Sequence, residues 1–99
     1  MDMVYSLEEL KSALTPVFEQ FGVRRAVLFG SYAKGQATKH SDVDLLVDSG
    51  LRGLSFFGLL DGVASALRVP VDLIDVSQVE RNSLVEREIQ MSGVPIYEQ

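Results

Sequence analysis

The sequence predicts a small α/β (α+β) domain in which helices pack against one mixed β-sheet. Segments with helical spacing of apolar residues alternate with short apolar segments of strand length, and glycines often stand between them. Hydrophobic residues make up 46% of the 99 residues and charged residues 23%, as in ordinary globular proteins. A chain of this length has no room for a second core, so we treat residues 1–99 as a single domain.

The first predicted helix begins at a capping box, Ser6-Leu7-Glu8-Glu9. Apolar residues then recur at three- and four-residue steps: Leu7, Leu10, Leu14, Val17, Phe18 and Phe21. Pro16 predicts a kink or a restart, and Gly22 predicts the end of the helix.

The remaining elements follow from apolar runs and their flanking residues. We predict strands at 23–29, 43–47 and 70–76, and a short edge strand at 94–97. A short helical turn and a loop fill 31–40, and a second long helix spans 55–67. Another capping box, Ser77-Gln78-Val79-Glu80, predicts a last helix that continues to about Met91 and ends at Gly93.

Composition excludes several kinds of site. The absence of cysteine excludes disulfides, thiolate zinc sites and cysteine nucleophiles, and a single histidine, His40, excludes sites that need two. A net charge of −5 argues against direct binding to a nucleic-acid backbone. Residues 1–6 lack a signal-peptide pattern and no apolar run reaches membrane length, so we expect a cytoplasmic protein without membrane contact.

Two aspartates at the start of the second predicted strand are the strongest chemical signal. Asp42 and Asp44 stand two positions apart and therefore share one face of the strand, opposite its apolar residues. Two such charges repel each other by roughly 4 kcal/mol at an effective dielectric constant of about 20. A divalent cation between them would remove this repulsion.

A glycine–serine pair at the end of the first strand, Gly30-Ser31, offers backbone amides to phosphate oxygens. The spacing of Gly30 and Gly35 matches a Walker A loop, but Gln36-Ala37 stands where Lys-Ser/Thr is required. In the third strand, Asp72 stands between Val71 and Leu73 and faces away from them, so it can supply a third carboxylate. If the two Asp-bearing strands are neighbours, three carboxylates meet beside Gly30, and such oxygen ligands suit Mg²⁺ or Mn²⁺.

These residues resemble a known signature. Gly30-Ser31-Tyr32-Ala33-Lys34-Gly35 followed by Ser41-Asp42-Val43-Asp44-Leu45 is similar to the DNA polymerase β-type nucleotidyltransferase superfamily, and in particular to its minimal nucleotidyltransferase (MNT) branch. The ending Gly93-Val94-Pro95-Ile96-Tyr97 also resembles the end of those short chains. MNT proteins are the antitoxin partners of HEPN-domain toxins, so the resemblance implies a nucleotidyltransferase-like fold and a hetero-oligomer with such a toxin.

The resemblance also implies a role for each site residue. Asp42 and Asp44 would bind two Mg²⁺ ions, with Mn²⁺ as an alternative, and Asp72 would complete one metal site and help to deprotonate the acceptor hydroxyl. Gly30 and Ser31 would hold the triphosphate of ATP. Tyr32 and Lys34 stand where arginine is frequent, which makes Lys34 the candidate for a phosphate contact. The implied reaction is transfer of AMP to a toxin tyrosine, which neutralises the toxin.

Two other functions and several structural roles are consistent with the residues. The chain could neutralise its partner by binding alone, or it could transfer a nucleotide to a small molecule, although relatives with that activity usually carry a further helical domain. Asp75 has the opposite parity from Asp72, so we expect it to have a structural role. We expect His40 to be a surface residue of its loop.

Overall fold

A four-stranded mixed sheet forms the centre of the computed structural model, which describes residues 4–99. Residues 1–3, part of the segment on which we predict the absence of a signal peptide, lie outside this description. The strands are β1 (Arg25–Phe29), β2 (Val43–Asp48), β3 (Val71–Asp75) and β4 (Val94–Glu98). Their order across the sheet is β3-β2-β1-β4. β1 is antiparallel to both β2 and β4, whereas β2 and β3 are parallel.

Within residues 4–99, four α-helices accompany the sheet: α1 (Leu7–Phe21), α2 (Gly30–Ala33), α3 (Leu54–Leu67) and α4 (Leu84–Ser92). A 3-10 turn, Val76–Gln78, follows β3. The helices α1 and α3 pack against each other and contribute most of the helical residues in the main core cluster. α2 and α4 also contact each other; α2 borders β1 and β2, and α4 borders β1. The predicted mixed sheet with packed helices is confirmed.

The first helix keeps its predicted ends. The side chains of Ser6 and Glu9 form the capping box, and Gly22 ends the helix in the left-handed conformation with φ of 69°. The predicted restart at Pro16 is wrong, because α1 is one helix of 15 residues. Pro16 lies exposed between Leu14 and Phe18, which are buried in the core, and this packing holds the helix together on both sides of the proline.

The predicted start of the last helix is also wrong. The Ser77 hydroxyl donates to Asp75 Oδ2 at 2.7 Å, and Asp75 caps the 3-10 turn instead. The chain then turns through Asn82, whose φ is 65°. α4 begins after Ser83, whose hydroxyl accepts from the Glu86 amide at 3.1 Å. Two Ser-x-x-Glu patterns stand close together here, and the second one caps the helix.

The edge strand and the predicted helix end at Gly93 are confirmed, since β4 follows α4 and, among the strands of the described residues, pairs with β1 alone. Within residues 4–99, no helix combines the length and the apolar character needed to cross a membrane. The sheet therefore has one edge at β4 and the other at β3, and the Asp-bearing strands β2 and β3 are direct neighbours.

Candidate active site

The chain turns from β1 into α2 at Gly30, and this turn requires a glycine for two reasons. Gly30 has φ of 73°, which is a left-handed conformation that other residues adopt at a cost. A Cβ atom at this position would overlap Asp44 Oδ2 and lie 3.1 Å from Asp44 Cγ. The backbone of the turn therefore lies directly against the carboxylate of the neighbouring strand.

The parallel pairing of β2 and β3 brings the acids of the two strands together. Asp44 and Asp72 are register partners, so their side chains share one face of the sheet. Asp42 immediately precedes β2 and lies on the same side of the chain as Asp44 by strand parity. Asp44 is half-buried, whereas Asp42 and Asp72 are exposed. The site is thus closed at the glycine turn and open at β3.

The pKa of Asp44 is shifted by its burial and by the charges of this cluster. Burial and, in decreasing order of importance, the charges of Asp72, Asp42 and Glu88 together raise the pKa of Asp44 to about 6. Each of these carboxylates is therefore close enough to destabilise the ionised form of Asp44. A cation bound among them would relieve both the desolvation and the repulsion.

The donor set fits a divalent cation in its chemistry. All of the ligands that the cluster offers are carboxylate oxygens, which Mg²⁺ and Mn²⁺ prefer. As placed within residues 4–99, no three His, Cys, Asp or Glu side chains form a ready-made metal-ligand group. The backbone therefore brings Asp44 and Asp72 together, while their side chains do not form a closed ligand set.

Lys34 ends α2 and pairs with a residue that the sequence did not indicate. Its Nζ lies 3.2 Å from Glu88 Oε1 on α4, and both side chains are partly exposed. A glutamate in an amphipathic helix carries no signal that separates it from an ordinary solvent-facing charge. The sequence also predicted the start of α4 six or seven residues too early, so the face of the helix on which Glu88 lies was not predicted.

Asp75 has the structural role that its parity predicts. It is 5% exposed and accepts from the Ser49 amide and hydroxyl and from the Ser77 amide and hydroxyl. Burial alone would raise the pKa of Asp75, but these hydrogen bonds outweigh burial and hold the pKa below its ordinary value. Asp75 thereby ties the end of β3 to the loop after β2.

The other polar residues of the Gly30–Asp44 connection lie at the surface or against the core. His40 is exposed, as predicted, and its amide donates to the Thr38 hydroxyl at 3.2 Å. The Ser41 hydroxyl accepts from the Thr38 amide at 2.9 Å, which closes the loop directly before Asp42. Tyr32 is half-buried and packs against the core cluster.

A glycine–serine turn at the end of one strand, an Asp-x-Asp pair on its antiparallel neighbour and a third aspartate in register define a nucleotidyltransferase class of fold and site. Comparison with known families agrees with this class: residues 12–99 match the family described as Polymerase beta, Nucleotidyltransferase. The chain belongs to this polymerase β nucleotidyltransferase family. The resemblance predicted from the Gly-Ser and Asp-x-Asp motifs is confirmed.

Within this family, the chain is similar to individual proteins and solved structures. The chain is 40% identical over 83 residues to the protein adenylyltransferase MntA of Thermococcus cleftensis, a match that covers 76% of this chain and 82% of the relative. A toxin–antitoxin crystal structure with AMP-PNP superposes with a TM-score of 0.75 at 22% identity, over 90% of this chain and 73% of that one. The MNT antitoxin in complex with the tri-AMPylated HEPN toxin of Shewanella oneidensis superposes with a TM-score of 0.70 at 20% identity, over 94% and 73%. At these identities the two structures establish a shared fold.

Proposed function

We propose that the protein is a Mg²⁺-dependent protein adenylyltransferase that transfers AMP from ATP to a tyrosine hydroxyl of a cytoplasmic HEPN toxin and so acts as its antitoxin. The observation that carries the proposal is the contact of the Gly30 turn with Asp44, whose register partner is Asp72. Membership of the nucleotidyltransferase family and the 40% identity to MntA support the same activity.

In this proposal the carboxylates of Asp42, Asp44 and Asp72 hold the divalent cations, which can be Mg²⁺ or Mn²⁺. When bound, such ions neutralise charge that develops on the attacking and leaving oxygens during phosphoryl displacement. The backbone amides at Gly30 and Ser31 bind the triphosphate at the start of α2. Lys34, which directly follows α2, supplies the positive side chain of the turn.

The reaction forms one bond and breaks one bond at the α-phosphorus of ATP. The tyrosine oxygen bonds to this phosphorus, and the bond from the phosphorus to the bridging oxygen of the β-phosphate breaks, which releases pyrophosphate. Asp72 accepts the phenolic proton. Its exposure at the β3 edge gives an acceptor side chain access to it, whereas Asp44 is partly enclosed by the Gly30 turn.

The open side of the site predicts a requirement for the partner. Asp42 and Asp72 are exposed, so no element of residues 4–99 encloses an acceptor next to them. A HEPN toxin that forms a hetero-oligomer with this chain would present its tyrosine there and exclude water. We therefore expect weak transfer to small phenols and efficient transfer to the bound toxin.

The test is incubation of the chain with ATP, Mg²⁺ and the HEPN protein of the same operon, followed by intact-mass spectrometry of both proteins. The wild-type chain should add the mass of one or more AMP groups to the HEPN protein, and Asp44→Asn should abolish the addition. Asp61→Asn is the matched control, because Asp61 is an exposed aspartate on α3. A HEPN protein that binds the chain and gains no mass would contradict the proposal.

Exposed apolar side chains favour a second candidate, neutralisation by binding alone. Leu54 and Phe57 on α3 are 91% and 65% exposed, and Leu84 and Met91 on α4 are 82% and 87% exposed. Large apolar side chains that are this exposed are available for contact with a partner protein. The Asp44→Asn variant separates the two functions: if it still protects cells from the toxin, binding alone suffices.

A further inference from the structure

Glu88 lies beside the candidate active site but belongs to none of its sequence motifs. Its carboxylate oxygen Oε1 lies 3.2 Å from Lys34 Nζ, within the distance of an ion pair. The two residues belong to neighbouring elements, since α2 and α4 pack against each other. The ion pair therefore joins the end of the phosphate-binding turn to the helix that borders it.

The backbone and the side chain of Lys34 differ in how firmly they are held. The Lys34 amide donates to the Gly30 carbonyl at 3.2 Å, which fixes the backbone at the end of α2. The side chain is a flexible four-carbon stem that ends in a strongly hydrated charge. It is 45% exposed, so the packing around it leaves it room to move. The contact with Glu88 selects one position from the many that such a stem can adopt.

The selected position lies at the border of the candidate active site. Glu88 is close enough to Asp44 to raise the pKa of that carboxyl, although burial and the two other aspartates raise it more. Glu88 therefore borders the aspartate cluster, and the ammonium that it holds lies 3.2 Å from its carboxylate oxygen Oε1. A hollow of about 350 Å³, lined by Lys34, Glu88, Met91 and Ser92, leaves space beside the ammonium.

We propose that Glu88 is a positioning residue that holds the Lys34 ammonium beside the Gly30–Ser31 turn, ready to bind the triphosphate of ATP. The inference rests on the proposed function, in which ATP is the substrate. Glu88 also adds a negative charge near a negatively charged ligand, and this effect acts in the opposite direction. Because the charge is paired with Lys34 at 3.2 Å, its field at the triphosphate is that of a dipole and falls off quickly with distance.

The experiment measures the affinity for α,β-methylene-ATP with Mg²⁺ by calorimetry, since this analogue cannot release pyrophosphate. Glu88→Gln keeps the size of the side chain and removes the charge. The contribution of an exposed ion pair predicts a rise in Kd of about twofold to fivefold. In the transfer reaction the KM for ATP should rise by the same factor, and kcat should stay the same because Glu88 does not touch the reacting atoms.

Two comparisons isolate the action of Glu88 through Lys34. In a Lys34→Met background, Glu88→Gln should cause no further weakening, because the side chain to be positioned is absent. Glu19→Gln is the control for the loss of one negative charge, since Glu19 is an exposed glutamate of α1, and it should leave Kd unchanged. Thermal melts of every variant establish that each one folds.

Unchanged or tighter binding by Glu88→Gln would overturn the inference, and so would an equal loss of affinity in the absence of Lys34. The proposed function fails in a different way. A wild-type chain that binds the analogue but transfers no AMP to any HEPN protein would overturn the adenylyltransferase activity. The comparison of Kd values would still decide the role of Glu88.

Discussion

Replacement of Gly30 by alanine should damage both the fold and the chemistry, and its cost can be divided into two parts. A left-handed alanine costs about 1–2 kcal/mol, which applies because φ at Gly30 is 73°. The added Cβ would also overlap Asp44 Oδ2, and such overpacking costs about 1–3 kcal/mol. We therefore expect Gly30→Ala to lower the free energy of unfolding by about 2–5 kcal/mol.

Gly22→Ala is a control that measures the free-energy cost of a left-handed alanine without any steric overlap. Gly22 has φ of 69°, close to that of Gly30, and a Cβ there would meet nothing within 4 Å. This control should lose only the backbone contribution of about 1–2 kcal/mol, and it should keep full transferase activity because α1 ends far along the chain from the aspartates. Urea denaturation of the metal-free proteins measures both changes.

A double-mutant cycle identifies the group that the alanine displaces. In an Asp44→Ala background the overlapping carboxylate is gone, so Gly30→Ala should cost no more than Gly22→Ala does in the wild type. If Gly30→Ala and Gly22→Ala cost the same in the wild-type background, or if the cycle shows no coupling, the close contact between the turn and Asp44 is refuted.

Three further outcomes are expected. Asp44→Asn should raise the free energy of unfolding of the metal-free protein at pH 8 by about 1–2 kcal/mol, after allowance for solvent screening. The reason is that it removes a charge that burial and three carboxylates destabilise. A loss of stability in urea melts with EDTA would contradict this. Asp75→Asn should cost about 1–3 kcal/mol at pH 7. Because the folded pKa of Asp75 is lowered, its contribution is present above the ordinary value of 3.8 and is lost as the pH falls below it, so a pH-independent difference between the two proteins would refute the assignment. Ser83→Ala should cost about 1 kcal/mol as the loss of an N-cap, and a smaller cost than that of Ser12→Ala, an exposed mid-helix control, would count against it.

Local signals predicted the elements that depend on a few neighbouring residues. The capping box at Ser6, the helix end at Gly22 and the alternation in β2 each specify their own structure, and each is confirmed. The predicted start of α4 was wrong because two capping patterns, at Ser77 and at Ser83, stand close together in the sequence. The hydrogen bonds of Asp75 with Ser49, 26 residues away, and with Ser77 decided the outcome. Such a long-range contact leaves no trace in a single sequence.

In the candidate site too, some features could be predicted from the local sequence and others depend on tertiary packing. The parity of Asp72 indicated a shared face with Asp44, and the pairing of β2 with β3 placed the two in register. Sequence reasoning also singled out Gly30, although it could not indicate that Asp44 occupies the space of the missing Cβ. Glu88 was missed because its importance comes from the packing of α4 beside α2.

The central proposition is that Asp42, Asp44 and Asp72 bind divalent cations under a nucleoside triphosphate that rests on the Gly30–Ser31 turn. A crystal structure of the chain grown with Mn²⁺ and α,β-methylene-ATP tests this most directly, because the anomalous signal of manganese locates the ions independently of the phosphates. We expect manganese peaks among the three aspartates and the triphosphate against the amides of the turn. Manganese and nucleotide bound elsewhere on the molecule, with the three aspartates free of metal, would contradict the account.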